Sequence, residues 1–362
     1  MKILCSQRLH DGPLWKVKWR PSARGLSLAT CSQDQSVILS DLQIIGDDAA
    51  VISPVTQLTG AHEKTVRSID FGPEGSLLAA ASFDGSVSIW RLPHNNNAKT
   101  ATPTPTAAKC ITTLEGHENE VKDAAFAPSG HILATCGRDR TIWLWKVHWD
   151  DDADELRDEP EFEVLAILQE HQQDVKALAW DVYNLSELVS VSYDESALVW
   201  AQVDLEDDGD WRCVQKLEPP GFGTIWAVAF VRDPAALPED PPELKLLFLA
   251  GEQGRIAVYH KQQQQQEKQQ EKRWSPLTLL EDAHQGPIYA LDSIRFQNRI
   301  LLASCGQDRT LKLWHLSHNS LLLLASISLG YELNCVRFKV TDKERLLLAI
   351  GDDDGQLHII SI

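Results

Sequence analysis

No apolar run in the sequence approaches the roughly 18 residues of a membrane-crossing helix, so a helical membrane protein is excluded. The opening stretch MKILCSQRLHDGPLW has no long apolar segment and no small-residue cleavage site, so no signal peptide is expected and no membrane partner either. Basic residues are scarce: 34 Lys and Arg face 52 Asp and Glu, for a formal net charge of −18. That balance lacks the basic footprint of a nucleic-acid-binding protein. The 7 cysteines form no CxxC pair, and without an export signal they are expected in a reducing compartment. No nucleophile–base pair, P-loop or glycine-rich phosphate cradle occurs, so the expectation is a protein that is not an enzyme and has no catalytic residue. Hydrophobic residues make up 43% of the 362-residue chain, ample for a core. That length fits two or three average domains or one large β fold.

What the sequence does contain is a repeat. Leu114 to Trp145 reads LEGHENEVKDAAFAPSGHILATCGRDRTIWLW. A Gly-His pair (Gly116, His117) leads an apolar strand from Val121 to Phe126. A Pro-Ser-Gly turn and a strand from Ile132 to Cys136 follow. Arg138-Asp139 then makes a tight turn before Thr141 to Trp145. Gly-His in front and Trp behind an Asp mark one blade of a β-propeller. The spacing lets His117, Thr135, Asp139 and Trp145 hydrogen-bond in series. Such a network suits a blade interior only when every member has a partner, because each buried orphan costs about 1–3 kcal/mol.

The pattern recurs seven times, at about 10–41, 62–91, 117–146, 171–201, 221–260, 284–315 and 331–361. His171/Ser190/Asp194/Trp200 and His284/Ser304/Asp308/Trp314 repeat the full network. The second repeat has His62, Asp84 and Trp90 but Ala80 in the hydroxyl position. The fifth is degenerate, with Gly221 for His, Gln253 for Asp and Tyr259 for Trp. The seventh has no leading His, and Asp354 stands as its turn Asp. Degenerate repeats survive because neighbouring blades bury their faces. Ile3 to Leu9 is a short strand with no blade before it, and the last repeat lacks its outer strand. The expected architecture is therefore all-β: a single seven-bladed WD-repeat β-propeller over residues 1–362, with residues 3–9 completing the last blade and removing an open edge.

Five polar insertions fall in the first or third hairpin of a blade, and those hairpins share one face of the disc. They are Pro93 to Ala108; Trp149 to Glu163, with nine carboxylates against one Arg; Asp204 to Asp210, with five acids; the Pro-rich Asp233 to Glu243; and the Gln/Lys/Glu tract Lys261 to Arg273. The opposite, short-looped face is the more informative. The second residue of each inner strand runs Trp15, Arg67, Lys122, Lys176, Trp226, Tyr289 and Asn334, the residue before the turn Asp runs Gln33, Phe83, Arg138, Tyr193, Glu252, Gln307 and Asp353, and both sets are expected to rim the central channel. Arg138, Lys122, Lys176, Arg67, Trp15, Trp226 and Tyr289 are the candidate partner-binding residues, basic on blades two to four and aromatic on one, five and six. Arg and aromatics are the usual anchors of interfaces, and this set suits an acidic-aromatic peptide.

Metal and cofactor sites are not expected. Cys31, Cys136 and Cys305 occupy equivalent places in different blades, too far apart to converge on one ion. His62, His117, His171 and His284 are each committed to their own blade's Asp. The triplet Asp352 to Asp354 is weak evidence for a cation.

TTLEGHENEVK (Thr112 to Lys122), LATCGRD (Leu133 to Asp139), LQEHQQDVKALAW (Leu168 to Trp180) and SVSYDESALVW (Ser190 to Trp200) resemble the WD-repeat protein of the cytosolic iron–sulfur protein assembly machinery. The likeness is close in repeats two to four and looser elsewhere. It implies a seven-bladed scaffold, cytoplasmic and also nuclear. Its implied partners are other subunits of a targeting complex and the cytosolic and nuclear apoproteins that receive clusters. It also implies that Arg138, matching an exposed third-blade Arg of that family, is functionally important. The degenerate fifth blade and the Gln tract depart from the family pattern. An unrelated WD-repeat adaptor, such as a ubiquitin-ligase substrate receptor or a signalling hub, is the alternative, since fold alone does not fix function.

Overall fold

A computed structural model describes the chain except for residues 22–24, 94–106, 150–158, 183–185, 204–208, 234–243 and 263–272. Most of the acidic, Pro-rich and Gln-rich insertions lie outside the described residues. The described residues build seven antiparallel four-stranded sheets. Blade 3 shows the order from the inside outwards: Val121–Phe126, Ile132–Gly137, Ile142–His148 and Glu161–Leu168. The inner strands of successive blades lie side by side around a central channel.

Each blade buries both faces against its neighbours, so its second strand carries a run of mostly small and aliphatic residues rather than an alternating pattern. The second strand of blade 2, LLAAAS, is buried at every position. Outer strands can alternate instead, as WRCVQKL does in blade 4, because one edge meets water. The core consists of seven clusters, each shared by two adjacent blades. Ala134, Leu144, Val175, Leu188 and Trp200, from blades 3 and 4, form part of one. The seventh–first cluster joins Leu347, Leu357 and Ile359 to Leu14, Leu28 and Ile52.

The ring closes through the first strand. Lys2–Arg8 pairs antiparallel with the final strand Gln356–Ser361, in a register running from Lys2 opposite Ser361 to Arg8 opposite Gln356. Leu4 is buried, and the Ser6 hydroxyl meets His358 Nδ1 at 2.7 Å. A sheet edge of the seventh blade is thereby covered.

The tight turn between the second and third strands is alike in all seven blades. Its residue after the turn position adopts a left-handed backbone: Gln35, Gly85, Arg140, Glu195, Gly254, Arg309 and Gly355, with φ between 62° and 95°. Four of these are not glycine. What holds them is the Asp before them, whose carboxylate accepts the backbone N–H two residues on, as Asp139 does from Thr141 at 3.0 Å.

Candidate partner-binding face around the channel mouth

The buried networks fix this face. In blade 3, His117 Nδ1–H donates to Asp139 at 2.7 Å, His117 Nε2 meets the Thr135 hydroxyl at 2.9 Å, and the Trp145 indole N–H donates to that hydroxyl at 3.0 Å. The chain of partners assigns the tautomer: Thr135 O–H donates to Nε2 and accepts from the indole. Blade 4 repeats this with His171–Asp194 at 2.8 Å, His171–Ser190 at 2.7 Å and Trp200–Ser190 at 2.8 Å. Blade 6 does so with His284–Asp308 at 3.0 Å, His284–Ser304 at 2.7 Å and Trp314–Ser304 at 2.8 Å. Burial alone would raise the Asp139 carboxyl, but hydrogen bonds from His117 and Thr141 outweigh it and hold it below the usual carboxylate range. Asp34, Asp84, Asp194 and Asp308 are depressed in the same way.

Two expectations need correction. Blade 2 does not lack a hydroxyl. Ser88, directly across the ladder from Ala80, lies 2.8 Å from His62 Nε2 and accepts from the Trp90 indole at 2.8 Å. In blade 7 the buried carboxylate is Asp352, not Asp354. Asp352 lies 2.9 Å from His358 Nε2 and accepts the backbone N–H groups of Asp354 and Gln356. With no histidine in the preceding loop, Asp354 has nothing inside to meet, and His358 from the last strand supplies the ring from below. Asp352 is thus spoken for by His358 and its own turn. Blade 1 keeps His10–Asp34 at 2.9 Å and His10–Thr30 at 2.8 Å, but Ser40 stands at the Trp position and its buried hydroxyl has no partner.

The cysteines of the inner sheets are packed as hydrophobes. Cys31, Cys136, Cys305 and Cys335 are buried, and burial pushes their thiols up, that of Cys335 to about 11. Among the described residues no group of three His, Cys, Asp or Glu side chains is placed to hold a metal ion.

The channel mouth is built by a device repeated seven times. In every blade the inner strand has a β-bulge at its second residue, so that residue drops out of the ladder. Ladder pairing jumps from Leu14 to Lys16, Val66 to Ser68, Val121 to Asp123 and Val175 to Ala177. It likewise jumps from Ile225 to Ala227, Ile288 to Ala290 and Leu333 to Cys335. The skipped residues are Trp15, Arg67, Lys122, Lys176, Trp226, Tyr289 and Asn334. A bulge re-aims its side chain, and here all seven line one cavity of about 50 Å³ at the mouth.

Within it the aromatics and cations interleave. The Arg67 guanidinium lies 4.8 Å from the Trp15 ring centre, and Lys176 Nζ lies 4.0 Å from that of Trp226. Tyr193, from the blade 4 turn, stands between Lys122 and Lys176, at 5.1 and 4.6 Å from their ammonium groups. Tyr193 packs edge-on to Trp226, and Trp226 to Tyr289, at 5.5 and 5.4 Å between ring centres. Lys122 pairs with Asp174, and Tyr289 O–H donates to Glu332 at 3.1 Å. The Trp15 and Trp226 indole N–H groups are shielded from solvent and have no acceptor, a cost of about 1–3 kcal/mol each. Arg138 stands apart from this cluster. Its side chain is 57% exposed and meets Glu120 at 3.2 Å.

Tyr193, Lys16 and Asp123 are mouth residues outside the candidate set. Tyr193 holds the pre-Asp place expected on the rim and lies there, whereas Arg138, in the same place of blade 3, lies off it. Lys16 and Asp123 join across the channel at 3.0 Å, and Asp123 also accepts the Leu178 backbone N–H at 2.9 Å. Asp70 and Asp292 likewise accept Phe126 and Phe338 N–H groups of the following blades, at 2.9 and 2.7 Å. A carboxylate in the strand interior thus satisfies backbone donors that face the channel and lack a ladder partner.

Seven such blades, four of them with a His–hydroxyl–Trp network beneath the turn face, define a WD-repeat β-propeller. The family model described as "WD domain, G-beta repeat" matches residues 53–91, 108–146 and 274–315. The crystal structure of the WD40 β-propeller domain of Doa1 superposes with a TM-score of 0.63 at 17% identity, covering 99% of this chain and 95% of that one. A protein of Kluyveromyces lactis named "Probable cytosolic iron-sulfur protein assembly protein 1" is 31% identical over 99% of this chain and 97% of its own. Proteins of the same name from Vanderwaltozyma polyspora and Neurospora crassa are each 28% identical, over 87% and 81% of this chain and 99% and 74% of their own. The chain belongs to the cytosolic iron–sulfur protein assembly protein 1 family.

Proposed function

We propose that the protein is a non-enzymatic scaffold of a cytosolic iron–sulfur targeting complex. It holds partner subunits and apoprotein clients together while clusters reach cytosolic and nuclear recipients. The whole chain, 1–362, acts as one propeller unit in the cytosol, with the nucleus as a second location. The cluster is cargo and passes between other proteins; the propeller supplies surface.

The observation that carries this reading is the asymmetry of the two faces. The face of Asp turns is short-looped and braced from beneath by hydrogen-bonded networks. It displays an exposed Arg138 beside a mouth of cations and aromatics. Arg, Trp and Tyr on a rigid support supply binding energy at small entropic cost. Arg138, Lys122, Lys176, Arg67, Trp15, Trp226 and Tyr289 are the proposed contact residues. Arg138 engages acidic groups on a partner, since its contact with Glu120 is exposed and easily exchanged.

A pull-down with the tagged full chain tests the reading. Recovery of iron–sulfur assembly subunits and apoproteins is the expected result. Recovery of ubiquitin-ligase or signalling components in their place would support the unrelated-adaptor reading.

A further inference from the structure

The two ends of the channel differ in how their cations are neutralised. At the lower end Lys18 pairs with Asp70 at 2.8 Å, and Arg232 and Arg337 share Asp292 at 2.5 and 3.6 Å. At the upper end Lys16 pairs with Asp123 and Lys122 with Asp174. Arg67 and Lys176 pair with no carboxylate among the described residues. Arg67 has only the face of Trp15, and Lys176 has the Tyr193 hydroxyl at 3.3 Å and two aromatic faces.

Two basic side chains without a carboxylate partner, Arg67 of blade 2 and Lys176 of blade 4, line one cavity of about 50 Å³. At roughly 10–15 Å³ for each water-sized occupant, that space suits a group of four or five heavy atoms. We propose that the channel mouth binds a free, doubly charged inorganic oxyanion between Arg67 and Lys176. Such an anion supplies the missing negative charge and several acceptor oxygens at once, which a single neutral molecule does not. The site shares residues with the proposed docking surface without depending on it. Anion binding to the isolated chain and partner recovery in a pull-down are separate measurements, and either can fail alone.

Anion binding couples to a proton. Burial, reinforced by the charges of Arg67 and Lys122, pushes the Lys176 ammonium down to about 6, against the opposing pull of Asp174 and Cys136. Tyr193, itself held up by burial and the nearby carboxylates of Asp174, Glu252 and Glu120, stays protonated beside it. Near pH 7 the empty site therefore holds Lys176 mostly neutral, and an arriving anion draws a proton onto it. Binding then weakens as pH rises above about 6, by roughly fiftyfold between pH 6 and pH 8 if the bound ammonium stays charged throughout.

The test is calorimetric titration of the full chain with sulfate, whose charge is constant over that range. The expected results are saturable binding that weakens from pH 6 to pH 8. At pH 7, uptake of close to one proton is expected from buffers of different ionisation enthalpy. Lys176→Met and Arg67→Met should each weaken binding at least tenfold at pH 6. Lys109→Ala, on an exposed outer strand, should leave it unchanged. Proton uptake by the unmutated chain keeps the proposal falsifiable should either variant fail to fold. Absence of sulfate binding, pH-independent binding without proton uptake, or folded variants that bind as the parent does would each overturn it. A blocked aspartyl peptide that binds more tightly than sulfate at the same residues would overturn the assignment to a free inorganic anion.

Discussion

Blades 3 and 5 have the same four-stranded form and hold it with different chemistry. Blade 3 has the neutral relay His117–Thr135–Trp145 anchored on Asp139. Blade 5 has none of those residue types at the equivalent positions. Phe222, fully buried beside Gly251, fills the space beneath the turn, and Tyr259 is buried at the Trp position. On the opposite side, blade 5 is tied to blade 4 by buried ion pairs. Lys245 meets Asp181 at 2.6 Å, and Lys261 pairs with Glu187, which also accepts the Trp274 indole N–H at 2.9 Å. Sheet geometry is therefore set by the shape and burial of the strands. Different networks satisfy it, provided nearly all of the buried polar groups find partners. The same freedom does not extend to the mouth, where all seven blades, blade 5 included, keep the inner-strand bulge.

The harshest way to probe this comparison lies outside both blades. Deleting residues 1–9 removes the strand that pairs with Gln356–Ser361 and exposes that edge. Aggregation or a marked loss of melting temperature is expected, because nothing elsewhere can substitute for a missing strand. A monomeric truncate that melts as the full chain does would refute closure by the first strand.

Single substitutions come next. Trp145→Ala leaves a cavity in blade 3 and strips Thr135 of its donor, with an expected cost of about 3–5 kcal/mol in chemical denaturation. Glu187→Ala leaves Lys261 buried without its carboxylate and Trp274 without an acceptor, with a similar expected cost of about 3–5 kcal/mol. Similar losses would show that the two chemistries are equivalent supports. A Glu187→Ala protein as stable as the parent would show that blade 5 relies on Phe222 and apolar packing alone.

Acid separates them more gently. The turn aspartates of blades 1, 2, 3, 4 and 6 are depressed in the folded state. A depressed carboxylate stabilises the fold above its unfolded pKa, near 4, and that contribution is lost as pH falls through the folded value. The carboxylate contribution should be level above about pH 5 and lost below about pH 4, while the depressed Lys176 ammonium makes total stability rise from about pH 6 to 8, since the unfolded chain binds that proton more tightly. Asp139→Asn should flatten the fall. An acid limb unchanged in that variant would assign it to other carboxylates.

The blades were legible in the sequence because repetition at a fixed period exposes equivalent positions. The closing strand was legible because each repeat begins inside one blade and ends in the next. The substitutes were not, because compensation in a sheet comes from across the ladder. Ser88 sits opposite Ala80 in space but eight residues away in the chain, and Asp352 reaches a histidine that leads no repeat. Sequence order placed the seven rim residues correctly at the second position of each inner strand. It gave no sign that a bulge puts them there, nor that Lys16 and Asp123 meet across the channel.

The smallest structural perturbation addresses the largest functional claim. Arg138 is exposed and outside every network, so Arg138→Glu should change stability by no more than about 0.5 kcal/mol. If Arg138 anchors an acidic partner on the mouth face, the reversal should weaken binding by about 2 kcal/mol or more, roughly thirtyfold. The decisive measurement is the affinity of folded Arg138→Glu for purified iron–sulfur assembly partners, taken beside its melting temperature. The account predicts an unchanged melt with binding reduced thirtyfold or more. An unchanged melt with parental affinity would contradict it.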